Sequence, residues 1–87
     1  MKMNLTELAK ALELINMPSR VVALGGQAKN CWCIQQEDGG TWEVFWMERG
    51  NELNLVRLDA ESDACFQLLG RLAYTQLATK AIGRLEN

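Results

Sequence analysis

Asp38-Gly39 constrains this chain more than any other feature, because it lies between two extended apolar runs, Cys31 to Gln36 and Thr41 to Met47. An Asp-Gly pair in that setting is among the strongest short-range signals for a β-hairpin. A second turn follows at Glu48 to Glu52, and then a further extended run from Leu53 to Leu58. The centre of the chain therefore predicts an antiparallel meander.

Side-chain pairing sets the expected register. With Glu37 to Gly40 closing the first hairpin, Cys33 faces Val44, Cys31 faces Trp46 and Trp32 faces Phe45. With Arg49-Gly50-Asn51 as the second loop, Val44 faces Val56, Trp42 faces Leu58 and Glu43 faces Arg57, whereas a one-residue slip would set Arg57 against Trp42. One sheet face would carry Cys31, Cys33, Trp42, Val44, Trp46, Val56 and Leu58. The other would carry Trp32, Ile34, Phe45, Met47, Leu53 and Leu55. Both faces are apolar, and two helices cover one of them better than two. A left-over apolar face is expected to act as a contact surface.

Helices flank the meander. Leu5, Leu8, Ala9, Leu12 and Ile15 recur at helical spacing behind a cap at Asn4 or Thr6, and Pro18 ends the run. Arg20 to Leu24 predicts a short strand before Gly25-Gly26, with Gln27 to Asn30 as loop. Asp59 is the expected cap of a long last helix, with Glu61 and Asp63 in its first turn. Its apolar stripe is Cys65, Leu68, Leu69, Leu72, Ala73 and Leu77, and Gly83 is the expected stop. Met1 to Met3 and Arg84 to Asn87 are expected to fray. The fold class is thus α+β over a single domain, 1–87. It has an N-terminal helix, an antiparallel sheet of three to four strands, and a long C-terminal helix packed on one sheet face.

Residue chemistry excludes most catalysis. With no histidine, the chain lacks the commonest general base and transition-metal ligand. The three cysteines, Cys31, Cys33 and Cys65, are an odd number and predict reduced thiols, buried as small apolar groups under the final helix rather than disulfides or metal ligands. Neither Gly25-Gly26 nor Gly39-Gly40 has the spacing of a phosphate-binding loop. No enzyme activity, cofactor or metal is expected. There is no secretion-signal pattern and no long apolar run, so a cytoplasmic protein without membrane attachment is expected.

Charge is unevenly spread. Net charge is −2, but residues 37–63 hold eight acids against two bases, which makes that stretch −6. Nucleic-acid binding requires the opposite sign. A protein partner fits better, with Trp32 or Trp46 as apolar anchor beside acidic turns.

The run Trp42-Glu43-Val44-Phe45-Trp46-Met47-Glu48-Arg49-Gly50, followed by Leu58-Asp59-Ala60-Glu61-Ser62-Asp63-Ala64-Cys65-Phe66-Gln67-Leu68-Leu69, resembles small bacterial immunity proteins. These are paired with polymorphic toxins of the Rhs, contact-dependent inhibition and type VI secretion kinds. The helix-then-Pro opening and Gly25-Gly26 match too, while Met47 and Leu58 depart from a pattern that has a small polar residue and an aromatic there. The resemblance implies a cytoplasmic inhibitor that occludes the active site of a cognate toxin domain. Its expected contact residues are Glu48, Arg49, Glu52, Trp46, Trp32, Glu37 and Asp38, with the Glu48 to Glu52 turn foremost. The alternative is a non-catalytic adaptor, a secretion chaperone or a small homodimeric subunit that uses the apolar sheet face.

Overall fold

The structure is a computed structural model, and it describes residues 2–78. Asn4 starts the first helix, α1 (Leu5–Leu14), by accepting the Glu7 N–H at 2.8 Å while the Glu7 carboxylate accepts the Asn4 N–H at 3.2 Å. This reciprocal capping box satisfies two backbone donors at once. Met3 does not fray: its N–H donates to the Ser62 hydroxyl at 2.9 Å, and its side chain packs on the core. Met1 and residues 84–87 lie outside the described residues, as does Gly83.

After a single 3-10 turn at Ser19–Val21 come four strands, β1 (Val22–Leu24), β2 (Cys31–Gln36), β3 (Trp42–Glu48) and β4 (Asn51–Leu58). They lie side by side in chain order. The last helix is α2 (Glu61–Ala78). The Ala60 carbonyl accepts the Ala64 N–H at 3.1 Å, which puts Ala60, not Asp59, at the cap position.

The sheet is mixed rather than purely antiparallel. β1 joins β2 in parallel, Val22 beside Trp32 and Leu24 beside Ile34. A parallel neighbour obliges the chain to return to the starting end of the sheet. Residues 25–30 make that return as a loop across one sheet face. Gly25, at φ +89°, turns the chain away, and its N–H still donates to Ile34 at 2.8 Å.

The first hairpin differs from the expected register by one residue. The Glu37 N–H donates to Thr41 at 2.8 Å and the Gly40 N–H to Glu37 at 2.9 Å, so only Asp38, Gly39 and Gly40 form the loop. Gly40, at φ +95°, takes the left-handed position of a three-residue hairpin. Cys33 therefore faces Phe45, Cys31 faces Met47 and Trp32 faces Trp46. A slip of one residue turns every side chain of a strand over. The two cysteines are consequently not under the final helix.

The second hairpin keeps the expected pairs Val44–Val56, Trp42–Leu58 and Glu43–Arg57. It reaches them differently, through a two-residue loop, Arg49-Gly50, at φ +50° and +79°. A β-bulge at Asn54-Leu55, opposite Phe45, then supplies the missing residue. Asn54 sits at φ +57°, a conformation that asparagine tolerates.

Both helices pack on one sheet face. Leu8 and Leu12 from α1 meet Ala64, Cys65, Leu68 and Leu72 from α2 over Ile34 and Val44, with Val22, Trp32, Trp42 and Leu58 at the margin. The helices run alongside in the same direction: the Leu5 N–H donates to Glu61, and Gln76 donates to the carbonyls of Ile15 and Asn16. The other face holds a smaller core of Cys31, Cys33 and Phe45, edged by Ala23, Met47 and Leu55. Loop 25–30 lies over it, with the Ala28 carbonyl 3.8 Å from Cys33 Sγ. Polar Gln35, Glu43 and Arg57 occupy the rest. Hence, among the described residues, neither sheet face is left as a bare apolar surface, because a crossing loop does what a third helix would do elsewhere.

Candidate protein-binding surfaces

The seven expected contact residues divide between two ends of β3. Trp32, Trp46, Glu48, Arg49 and Glu52 gather at the second turn, and Glu37 and Asp38 at the first.

At the second turn, Trp32 and Trp46 face each other on the helix side of the sheet. Their rings meet edge to face, centroids 5.7 Å apart at 66°. Trp46 Nε1 donates to Glu48 Oε1 at 3.0 Å, and the Arg71 guanidinium from α2 lies 5.2 Å from the Trp32 ring centre. Both tryptophans are half-buried; Trp32 packs against the core under the helices and Trp46 leans on Trp32. Glu52 lies on the opposite sheet face, where it accepts Gln27 Nε2 at 3.4 Å. Lys29 and Arg49 line the same hollow as Glu48. Two bases, Lys29 and Arg49, thus lie close to Glu48, while Glu52 sits on the opposite face with Gln27. Arg71 and Tyr74 from α2, which were not among the expected contact residues, line a groove with Trp32. The available signal was their i, i+3 spacing outside the leucine stripe.

The first turn is different. β3 and β4 bring Glu37 and Asp38 to the end of the sheet where Leu58 hands over to Asp59 and α2 begins. α1 begins there too, since the Glu61 carboxylate accepts the Leu5 N–H at 3.0 Å. Glu7, Glu37, Asp38, Asp59 and Asp63 are all exposed at this end. Glu7, Glu61 and Asp63 also sit at helix N-termini, where the dipole favours them. Two other central acids add little to the outer field. Glu43 is buried with Arg57 Nε at 3.2 Å, and Glu61 is held by the α1 backbone. Lys2 lies beside Glu7 and Arg57 reaches Glu37 at 3.9 Å, so this end holds five exposed acids against two bases and is still the more acidic of the two.

The thiols are packing groups. Cys31 Sγ donates to the Arg20 carbonyl at 3.2 Å, and burial pushes the Cys33 thiol up. Cys65 lies on the far side of the sheet from them, its pKa pushed up to about 11, first by burial and then by Glu61 and Glu7. High thiol pKa values suppress the thiolate that nucleophilic or metal chemistry needs. Among the described residues no His, Cys, Asp and Glu cluster could hold a metal ion, and no helix is long and apolar enough to cross a membrane.

No family model, curated protein or solved structure matches this chain.

Proposed function

We propose that this chain is an immunity protein that neutralises a cognate bacterial toxin domain by setting its acidic end over the toxin's active site. The observation that carries the reading is the convergence of five exposed carboxylates, Glu7, Glu37, Asp38, Asp59 and Asp63, from three separate segments onto one end of the fold. A cleft that handles nucleic acid or a phosphorylated cofactor such as NAD is basic. Opposed charge raises the encounter rate and excludes wrong partners. The resemblance of residues 42–69 to immunity proteins supports the same reading.

The test is co-expression with the toxin domain encoded beside this chain, scored by survival and co-purification. Wild type is expected to rescue growth and form a complex. Charge reversal at Glu37 and Asp38 is expected to weaken that complex about 10- to 100-fold, chiefly through a slower on-rate that high salt also slows. Reversal at Glu48 and Glu52 is expected to change it far less. If the second pair matters more, the acidic-end geometry is wrong. If wild type neither rescues nor binds, the immunity reading falls.

A further inference from the structure

The two edges of the sheet are unequal. β1 is three residues long, and short edges are poor templates for pairing. β4 is eight residues long and holds Leu53, Leu55, Val56 and Leu58, with Glu52, Arg57 and the bulge at Asn54-Leu55 among them. No strand among the described residues pairs with its outer side.

Alternation in an antiparallel ladder fixes which backbone groups that edge presents. Thr41 uses its carbonyl on Glu37, so Glu43, Phe45 and Met47 turn their backbone groups to β2. Trp42, Val44, Trp46 and Glu48 then turn theirs to β4, where Leu58, Val56, Leu53 and Asn51 answer them. By this alternation Glu52 and Arg57 aim N–H and C=O outward, while between them, at the bulge, the Asn54 carbonyl accepts Arg71 Nη1 at 3.2 Å.

We propose that the β4 edge is covered by a second copy of this chain, β4 against β4 in antiparallel pairing about a two-fold axis between Asn54 and Leu55. In that register Glu52 of one copy meets Arg57 of the other, twice. Leu53 meets Val56, and Asn51 meets Leu58. The bulge makes this possible. Residues five apart on an unbroken strand lie on opposite faces. The extra residue at Asn54-Leu55 puts Glu52 and Arg57 on the same face, and Leu53 and Val56 together on the helix face. The same two residues thus supply both outward backbone pairs and both charge pairs. An edge with one sign of charge would repel its own copy, and this one complements it.

Side-chain availability agrees. Arg57 contacts Glu43 and Glu37 through Nε and keeps a side chain 59% exposed. On the helix face a groove of about 480 Å³ runs beside the edge, between Val56 and Trp32 on the sheet and Arg71 and Tyr74 on α2. Tyr74 is 73% exposed and Leu53 41% exposed. A second copy across the seam would cover both.

The proposal is independent of the toxin reading and is tested on the chain alone, by sedimentation equilibrium and by amide hydrogen exchange over a concentration series. Wild type is expected to dimerise, with the Glu52 and Arg57 amides gaining protection as concentration rises. Glu52→Arg places like charges opposite each other at both pairs and is expected to weaken the dimer about 10- to 100-fold, with unchanged circular dichroism. Glu52→Pro removes the outward donor without touching the β3 ladder and is expected to do the same. A chain that stays monomeric at every concentration would overturn the proposal. So would a dimer indifferent to both variants, or one that leaves those two amides unprotected.

Discussion

Arg57 and Glu43 face each other across the β3–β4 rung with Nε 3.2 Å from Oε2, and Gln35 Nε2 donates to the other carboxylate oxygen at 3.0 Å from β2. Glu43 is only 4% exposed, so these two neighbours take the place of water as partners of its carboxylate. Because each comes from a different strand, the triad crosses three strands at one level. A slip in either hairpin would leave a buried carboxylate short of a partner, which is how one polar group holds two registers.

Arg57→Ala removes the cation from that carboxylate and is expected to cost about 1–3 kcal/mol in urea unfolding, with Arg57's exposure keeping the loss below that for a fully buried pair. Replacing both, as Glu43→Leu with Arg57→Leu, is expected to recover part of the loss, since it removes the buried carboxylate and leaves only the half-buried Gln35 amide short of an acceptor. A double variant as unstable as the single one would mean that the loss lies elsewhere.

Gln76 is buried on α2, and its amide donates to the carbonyls of both Ile15 and Asn16 at 2.9 Å. Those carbonyls belong to the end of α1, where helical partners run out. Gln76→Leu keeps the volume and removes the donor, so it is expected to lower stability by about 1–3 kcal/mol in chemical denaturation. Unchanged stability would show that water replaces the amide there.

Gly40 and Gly39 sit side by side in the first loop and are expected to respond differently. At Gly40 an added Cβ meets only Gln36 Nε2 at 4.0 Å, so the cost of Gly40→Ala is the backbone conformation at φ +95°, about 1–2 kcal/mol. Gly39 has no neighbour within 4 Å and no positive φ, so Gly39→Ala is expected to be neutral or slightly stabilising. Thermal unfolding of the two variants measures the contrast directly.

Cys65 ties stability to alkaline pH. Its folded pKa lies near about 11 against an ordinary 9.0. The folded state therefore holds its proton after the unfolded chain has released it. The associated stability is whole below pH 9.0 and is lost as pH rises towards about 11, at up to about 1.4 kcal/mol per pH unit. Cys65→Ala is expected to flatten the stability–pH curve in that window. Alkylating reagents are expected to modify wild type only as fast as it unfolds.

Much of the architecture was legible locally. Apolar spacing from Leu5 to Ile15, stopped by Pro18, marks one helix, and the Cys65 to Leu77 stripe marks the other. Asp38-Gly39 and the Glu48 to Glu52 turn mark two hairpins, though the second loop is Arg49-Gly50 and not Arg49-Gly50-Asn51. Glu43 opposite Arg57 was readable too, because a one-residue slip would set Arg57 against Trp42. What each segment prefers by itself is written in residue order.

Which face β2 turns to the helices was not. Cys31, Trp32, Cys33 and Ile34 are all apolar, so hydrophobic patterning is indifferent to a one-residue slip. The choice came from packing: bulky Trp32 and Ile34 fill the wide space under two helices, while small cysteines let a loop backbone lie close above them. The parallel edge strand and the Asn54 bulge have the same origin, in space rather than in residue order. So does the acidic end, since eight acids in one stretch form a surface only after the chain buries Glu43, ties up Glu61 and sends Glu48 and Glu52 to the opposite pole. Short-range preference determined the elements of this protein; competition for space between its two sheet faces decided how they were assembled.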